Sequence, residues 1–166
     1  MTEAVAIPGG QGLVACRVAI PAAWLSRRDE LAPAFFTAAF DLGIDVLKQA
    51  LGIDETYRRE QGRSTVALEA HVRILLPVPK GSTVELSARI VDCDAKRLHI
   101  AQEMTLGGRL AALRESMTIS FDLHARRSCT FTDAVSARVN ELHAAQRGLP
   151  AWPGAAHLLG TGRAAD

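Results

Sequence analysis

Between Ala32 and Leu51 the chain sets Phe35, Phe36, Ala39, Phe40, Gly43, Ile44, Leu47 and Leu51 at helical spacing, with only a thin polar stripe of Thr37, Asp41, Asp45 and Lys48. A helix that is apolar around most of its circumference has to be covered on most sides by the rest of the chain. Pro33 suits the first turn, where its missing N–H would be unpaired anyway, and Gly52 ends the run. Gly43, in the middle, predicts the close approach of another backbone.

The remaining segments supply the cover. Leu13 to Ile20 alternates and is rich in β-branched residues up to Pro21, which predicts a strand. The stretch TYRREQGR reads as a polar connection. Four runs of strand character follow it: Thr65 to Leu76, Thr83 to Cys93, Arg97 to Leu106 and Arg109 to Leu123. The joints Pro77-Val78-Pro79-Lys80-Gly81, Asp94-Ala95-Lys96 and Gly107-Gly108 are short enough for antiparallel neighbours. Thr132 to His143 predicts a last amphipathic helix, with Val135, Val139 and Leu142 on one face and Thr132 and Asp133 as cap and first-turn anion. The reading is α+β: one long central helix held by a curved antiparallel sheet, plus a C-terminal helix. One domain over residues 1–147 is expected, followed by a loosely ordered tail over 148–166.

Function classes are narrowed by what the chain does not carry. No stretch is apolar enough to span a membrane, and MTEAVAIPGGQG lacks the basic start and apolar run of a signal peptide. Cys16, Cys93 and Cys129 are odd in number and widely spaced, which fits a reducing cytoplasm rather than a disulfide frame or a zinc knuckle. A formal charge of +1 without runs of like charge offers nucleic acid no grip, so any anion must be met locally. Ser64, Ser120 and Ser128 lack a G-x-S-x-G context, and His99, His124 and His143 lack metal-ligand spacing. No metal and no cofactor is expected.

The order of elements, with the phrases DAKRLHIAQEM (Asp94 to Met104), LEAHVRIL (Leu68 to Leu75) and RES to ARRS (Arg114 to Ser128), resembles the hotdog acyl-CoA thioesterases of the 4-hydroxybenzoyl-CoA thioesterase-like branch. Within it the likeness is to the small thioesterases associated with carnitine and betaine breakdown, and it covers about Ala15 to Ala145. The resemblance implies the hotdog fold, hydrolysis of a small or medium acyl-CoA to free acid and coenzyme A, and a homodimer or dimer of dimers with the acyl site at the seam. It departs from the family at one place. The Asp-x-x-Gly-His-x-Asn signature that usually precedes the helix falls, when Trp24 is laid on the family's Trp, on Ser26, Asp29, Glu30 and Ala32, and none of the four matches.

The family's signature carboxylate activates water, or attacks the thioester carbon, beneath an oxyanion held by the helix N-terminus. Ser26 has no base to help it, so Asp29 or Glu30 is expected either to cap the helix or to serve as a relocated base, Glu30 being preferred. In the strand from Thr65, alternation predicts Val66, Leu68, Ala70, Val72 and Ile74 on the face that covers the helix. Glu69, His71 and Arg73 then fall on the other face, either as a charged ladder paired with Arg89 and Glu103 or reaching a site shared between subunits. Lys96, Arg97, Arg126 and Arg127 are the candidates for the phosphates of coenzyme A, and Phe35 and Phe36 for the acyl pocket. The missing signature Asp keeps a second reading open: a hotdog protein that binds acyl thioesters, or acts as an assembly partner, without turning them over.

Overall fold

The computed structural model describes residues 3–7, 9 and 12–154. Its elements run β1 (Ala4–Ile7), β2 (Val14–Ala19), a short 3₁₀ turn (Ala22–Trp24), α1 (Pro33–Leu51), α2 (Glu55–Gln61), β3 (Arg63–Ile74), β4 (Thr83–Cys93), β5 (Arg97–Leu106), β6 (Arg109–Asp122), β7 (Arg127–Ser128) and α3 (Asp133–Gln146). The main strands form one antiparallel sheet in the order β1-β2-β4-β5-β6-β3, with β7 added beside β6. Bulges after Ala67, Ile90 and Met104 bend the strands. α1 lies on one face of this sheet, which is the hotdog arrangement.

The apolar stripe of α1 is divided between two clusters. Phe36, Ala39 and Phe40 pack with Cys16, Val18, Val84, Leu86 and Met104 near the start of the helix. Ile44, Leu47 and Leu51 pack with Ala88, Ile90, Leu98, Ile100 and the α3 residues Val135 and Val139 toward its end. Phe36, Phe40, Leu47 and Leu51 are fully buried, and each contributes about 1.5–3 kcal/mol relative to exposure. Cys16 is one of these core residues, and burial pushes its thiol up to about 11.

Several expectations change. Gly43 is approached by side chains rather than a backbone: an added Cβ would meet Gln102 Nε2 at 2.8 Å and Leu86 Cδ1 at 3.3 Å. The stretch TYRREQGR is mostly helix, because Asp54 caps α2 by accepting from the Tyr57 N–H at 2.8 Å and Gly62 ends it at φ 59°. β1 was not anticipated, and it pairs antiparallel with β2. The last helix continues three residues past His143, to Gln146, whose amide accepts from the Ile90 N–H and donates to the Gly12 carbonyl. That side chain takes the place of a neighbouring strand where β4 runs beyond the end of β2. Farther on, Trp152 is buried against Ala101 and Leu113 on the face of the sheet away from α1.

β3 departs most from the strand alternation. It lies at the edge of the sheet beside β6, not beside β4 as the short joint from Pro77 to Gly81 predicts and not beneath α1, and the bulge at Leu68 breaks its phase. Val66, Leu68 and Ile74 are exposed, and Val72 alone of the predicted set packs on the core. Its charges do not meet Arg89 and Glu103 either, since β3 pairs with β6 while Arg89 and Glu103 bond each other across β4 and β5 at 3.1 Å.

Candidate active site

The loop before α1 is shaped by its own backbone. Ser26 N–H donates to the Glu30 carbonyl at 2.7 Å and Asp29 N–H to the Ser26 carbonyl at 3.1 Å, with Asp29 at φ 56°. Leu25 and Leu31 bridge its two arms, and the returning arm is tied to the β3–β4 connection by Leu31 N–H to the Val78 carbonyl and Lys80 N–H to the Asp29 carbonyl. Ala32 N–H donates to the Trp24 carbonyl, and the Trp24 and Phe35 rings stack 5.6 Å apart. This fixes where the helix starts. Its N-cap is Ala32, no side chain caps it, and no acidic residue stands in its first turn.

The capping expectation for Asp29 and Glu30 is therefore wrong, for a geometric reason: the backbone turn places both residues ahead of the N-cap position. The Asp29 carboxylate lies out toward Lys80 Nζ at 3.7 Å. Glu30 instead lines a cleft of about 370 Å³ together with Ser26, Arg28, Leu31, Pro33 and Phe36 on one side and Ile74, Leu75, Leu76 and Pro77 on the other. The N-terminal amides of an uncapped helix carry partial positive charge and unpaired donors. Pro33 has no N–H and the Phe35 N–H donates to the Ala32 carbonyl at 2.9 Å, so Ala34 supplies the first-turn donor, and a carboxylate, a hydroxyl and an apolar wall meet near it.

The other predicted residues divide. Phe36 lines the cleft, while Phe35 is spent on Trp24. Glu69 and His71 bond each other at 2.9 Å on the exposed edge of β3, away from this cleft. His71 and Arg73 line a separate cavity of about 260 Å³ on the outer sheet face with Leu113, Glu115 and Trp152. Lys96, Arg97, Arg126 and Arg127 gather at the opposite end of β6: Ser120 N–H donates to the Lys96 carbonyl, and Arg127 pairs with Asp122. From Ala112, which is opposite Ile74 at the cleft, to Asp122 is roughly 30 Å along the strand.

Two aspartates shape that basic end. Burial pushes the Asp94 carboxyl up, but the Lys96 N–H, the Arg97 guanidinium and the Arg97 N–H outweigh it and hold it below the ordinary value. Asp122 is held low chiefly by the N–H of Ala125, then by that of His124. Arg97 is thereby committed to Asp94 at 2.6 Å, whereas Lys96, Arg126 and Arg127 are exposed.

The sequence reading passed over one pair. Arg114, buried on the helix-facing side of β6, donates through Nη1 to Asp41 Oδ1 at 2.6 Å. The available signal was an Arg at an inward position of a strand otherwise built there from Ala112, Ser116, Thr118 and Ser120, facing an Asp in the polar stripe of α1. A second buried pair, His99 and Glu115 at 2.7 Å, belongs to the outer face.

The chain is similar to known proteins in sequence and in fold. The curated betainyl-CoA thioesterase of Pseudomonas aeruginosa is 34% identical over 139 residues, which cover 82% of this chain and 87% of that protein. Among solved structures, a Staphylococcus aureus protein in complex with CoA superposes with a TM-score of 0.83 at 21% identity, covering 93% of this chain and 98% of that one. The DHNA-CoA thioesterase of Staphylococcus aureus gives 0.73 at 11% identity, covering 78% and 90%, so it shares the fold. The sequence model of the Thioesterase-like superfamily matches residues 29–139, from the loop carrying Glu30 to the middle of α3, and the chain belongs to that superfamily.

Proposed function

We propose that this chain hydrolyses a small or medium acyl-CoA to free acid and coenzyme A in the cleft at the start of α1. The observation that carries the reading is the uncapped N-terminus of α1 opening onto Glu30 and Ser26. The thioester oxygen accepts from the Ala34 N–H at the positive end of α1, whose dipole is already aligned and needs no reorganisation as charge develops. Glu30 takes a proton from a water, the hydroxide adds to the carbonyl carbon, and the tetrahedral adduct collapses with cleavage of the C–S bond. The thiolate of coenzyme A leaves and is protonated by solvent. Ser26 Oγ, which accepts from the Arg28 N–H at 3.2 Å, keeps its own proton available to orient that water. Asp29 serves to hold Lys80.

The same reading takes the protein to be a homodimer or a dimer of dimers. β3 is a twelve-residue edge with exposed Val66 and Leu68, and an unpaired edge of that length invites a second strand. Two β3 edges paired antiparallel bring the Arg63 end of one copy beside the Ile74 end of the other. Arg126 and Arg127 of a second copy then come toward this cleft, closing the 30 Å gap, and coenzyme A phosphates find their charge there. Glu69, His71 and Arg73 stand at that seam.

Free-thiol release from a panel of acyl-CoA substrates, betainyl-CoA first because of the Pseudomonas relative, tests the activity. Glu30→Gln is expected to lower turnover at least about a hundredfold with an unchanged melting temperature. Full turnover by that variant places the base elsewhere. Arg126→Ala with Arg127→Ala should raise KM for a coenzyme A thioester and leave a short thioester without the nucleotide unaffected; equal effects on both would remove the phosphate assignment. Calorimetric binding of the panel without thiol release selects instead a non-catalytic acyl-thioester binder or assembly partner, the reading suggested by Ser26 standing where the family has Asp.

A further inference from the structure

The cavity of about 260 Å³ on the outer face of the sheet takes no part in the chemistry above. Past α3 the chain crosses this face, held by Arg89 Nη1 donating to the Pro150 carbonyl at 2.7 Å, and lays Trp152 on Ala101 and Leu113. Gly154 then folds over the indole so closely that a Cβ there would collide with Cη2 and Cζ3 of Trp152. β3 adds Arg73 and His71 to the lining. Adjacent residues of a strand point to opposite faces, so Arg73 lines this cavity while Ile74 lines the cleft at the start of α1. The two sites stand back to back through one strand.

The lining has a definite deficit. Trp152 is 7% exposed, yet its Nε1–H has no acceptor. A buried donor without a partner is destabilising until water or a ligand relieves it. Arg73 makes no ion pair among the described residues, and His71 bonds Glu69 through Nε2, which leaves Nδ1. Glu115, in contrast, is 2% exposed and spends Oε1 on His99 Nε2 at 2.7 Å. What this wall lacks is therefore acceptor oxygens, while Leu113 and the indole ring make the rest of it apolar.

We infer that this cavity binds a small monocarboxylic acid as its anion, at a site separate from the thioester cleft. The carboxylate accepts from the Trp152 Nε1–H and from the planar fork of Arg73, and a short hydrocarbon body lies on Leu113 and the indole. Glu115 limits the charge that can enter. Its carboxylate belongs to the same lining and opposes a dianion more strongly than a monoanion, which disfavours phosphate. The volume limits the size, since it falls just below the roughly 300–1,000 Å³ of sites that hold larger ligands.

The chain has two tryptophans, so Trp24→Phe leaves Trp152 as the one indole whose emission is read. Isobutyrate is expected to shift that emission saturably, with isobutyramide, its neutral isostere, and inorganic phosphate each binding at least about tenfold more weakly. Arg73→Gln in the same background should raise Kd for isobutyrate about tenfold or more, with an unchanged melting temperature because Arg73 is exposed. Trp152→Phe keeps a ring and removes the N–H; calorimetry on that variant should show weaker binding as well. The inference is overturned if no saturable response occurs, which leaves the donor to water. It is equally overturned if isobutyramide or phosphate binds as tightly as isobutyrate, or if either Arg73→Gln or Trp152→Phe binds isobutyrate as the unaltered site does, which puts the acid elsewhere. None of these outcomes bears on the thioesterase reading, whose test is thiol release.

Discussion

The two ends of α1 are finished in opposite ways. At its C-terminus Gly52 takes φ 75°, its N–H bonds the Gln49 carbonyl, the Ile53 N–H bonds the Lys48 carbonyl, and buried Ile53 anchors the turn in the second core cluster. This is the Schellman closure, with Lys48 adding a cation where the helix dipole is negative. At the N-terminus the chain supplies none of this. Ala32 has no oxygen to offer, and the carboxylates just upstream turn to Lys80 and to the cleft. A cap contributes about 1 kcal/mol, so one end of the helix forgoes stability that the other end collects. The Phe35 N–H is bonded to the Ala32 carbonyl, but the Ala34 N–H at the positive end of the helix is what an incoming carbonyl oxygen requires.

That contrast can be broken most severely at Ala32. Ala32→Ser places a hydroxyl where it can accept from the amides of the first turn without adding charge near Glu30. The melting temperature is expected to rise by about 2–4 °C. Thioester hydrolysis should fall by up to about a hundredfold, because the hydroxyl occupies the donors meant for the oxyanion. A stability gain with full activity would show that the carbonyl is held somewhere other than the start of α1, and the proposed mechanism would have to move.

The contrast also explains what the sequence could reveal. The long helix, its end at Gly52 and the antiparallel neighbours β4, β5 and β6 follow from local pattern, since apolar spacing and turn residues act over a few neighbours. The short joint from Pro77 to Gly81 predicts β3 beside β4, but β3 pairs with β6 instead. Whether Asp29 and Glu30 cap the helix does not follow, because it turns on two backbone bonds, Ser26 N–H to Glu30 and Ala32 N–H to Trp24, that set the N-cap at Ala32, beyond both residues. β3 was misjudged for a similar reason. Its alternation is clear, but one bulge at Leu68 and an edge position, neither of which leaves a local mark, decide which residues face solvent. The Asp41–Arg114 pair spans 73 positions of sequence, beyond the reach of any spacing rule. Glu30 entered only through the resemblance, whose usual residues are absent from this loop.

The smaller test lies at the closed end. Gly52→Ala forces a side-chain-bearing residue into the left-handed region, at a cost of about 1–2 kcal/mol. The new Cβ would also meet Arg138 Nη1, but that atom ends a flexible side chain and can swing aside, so the backbone term governs. Stability should fall by that amount with kcat and KM unchanged, since Gly52 is eighteen residues from Ala34 and about 27 Å from it along α1. If the closure at Gly52 were merely a convenient end, fraying of the last turn would absorb the substitution and leave the melting temperature where it was. If instead activity fell with stability, the first turn would be held in place by the packing of the last. The helix would then act as one rigid rod whose amides aim correctly only when its far end is fastened, and the division between a stabilising end and a working end would have to be given up.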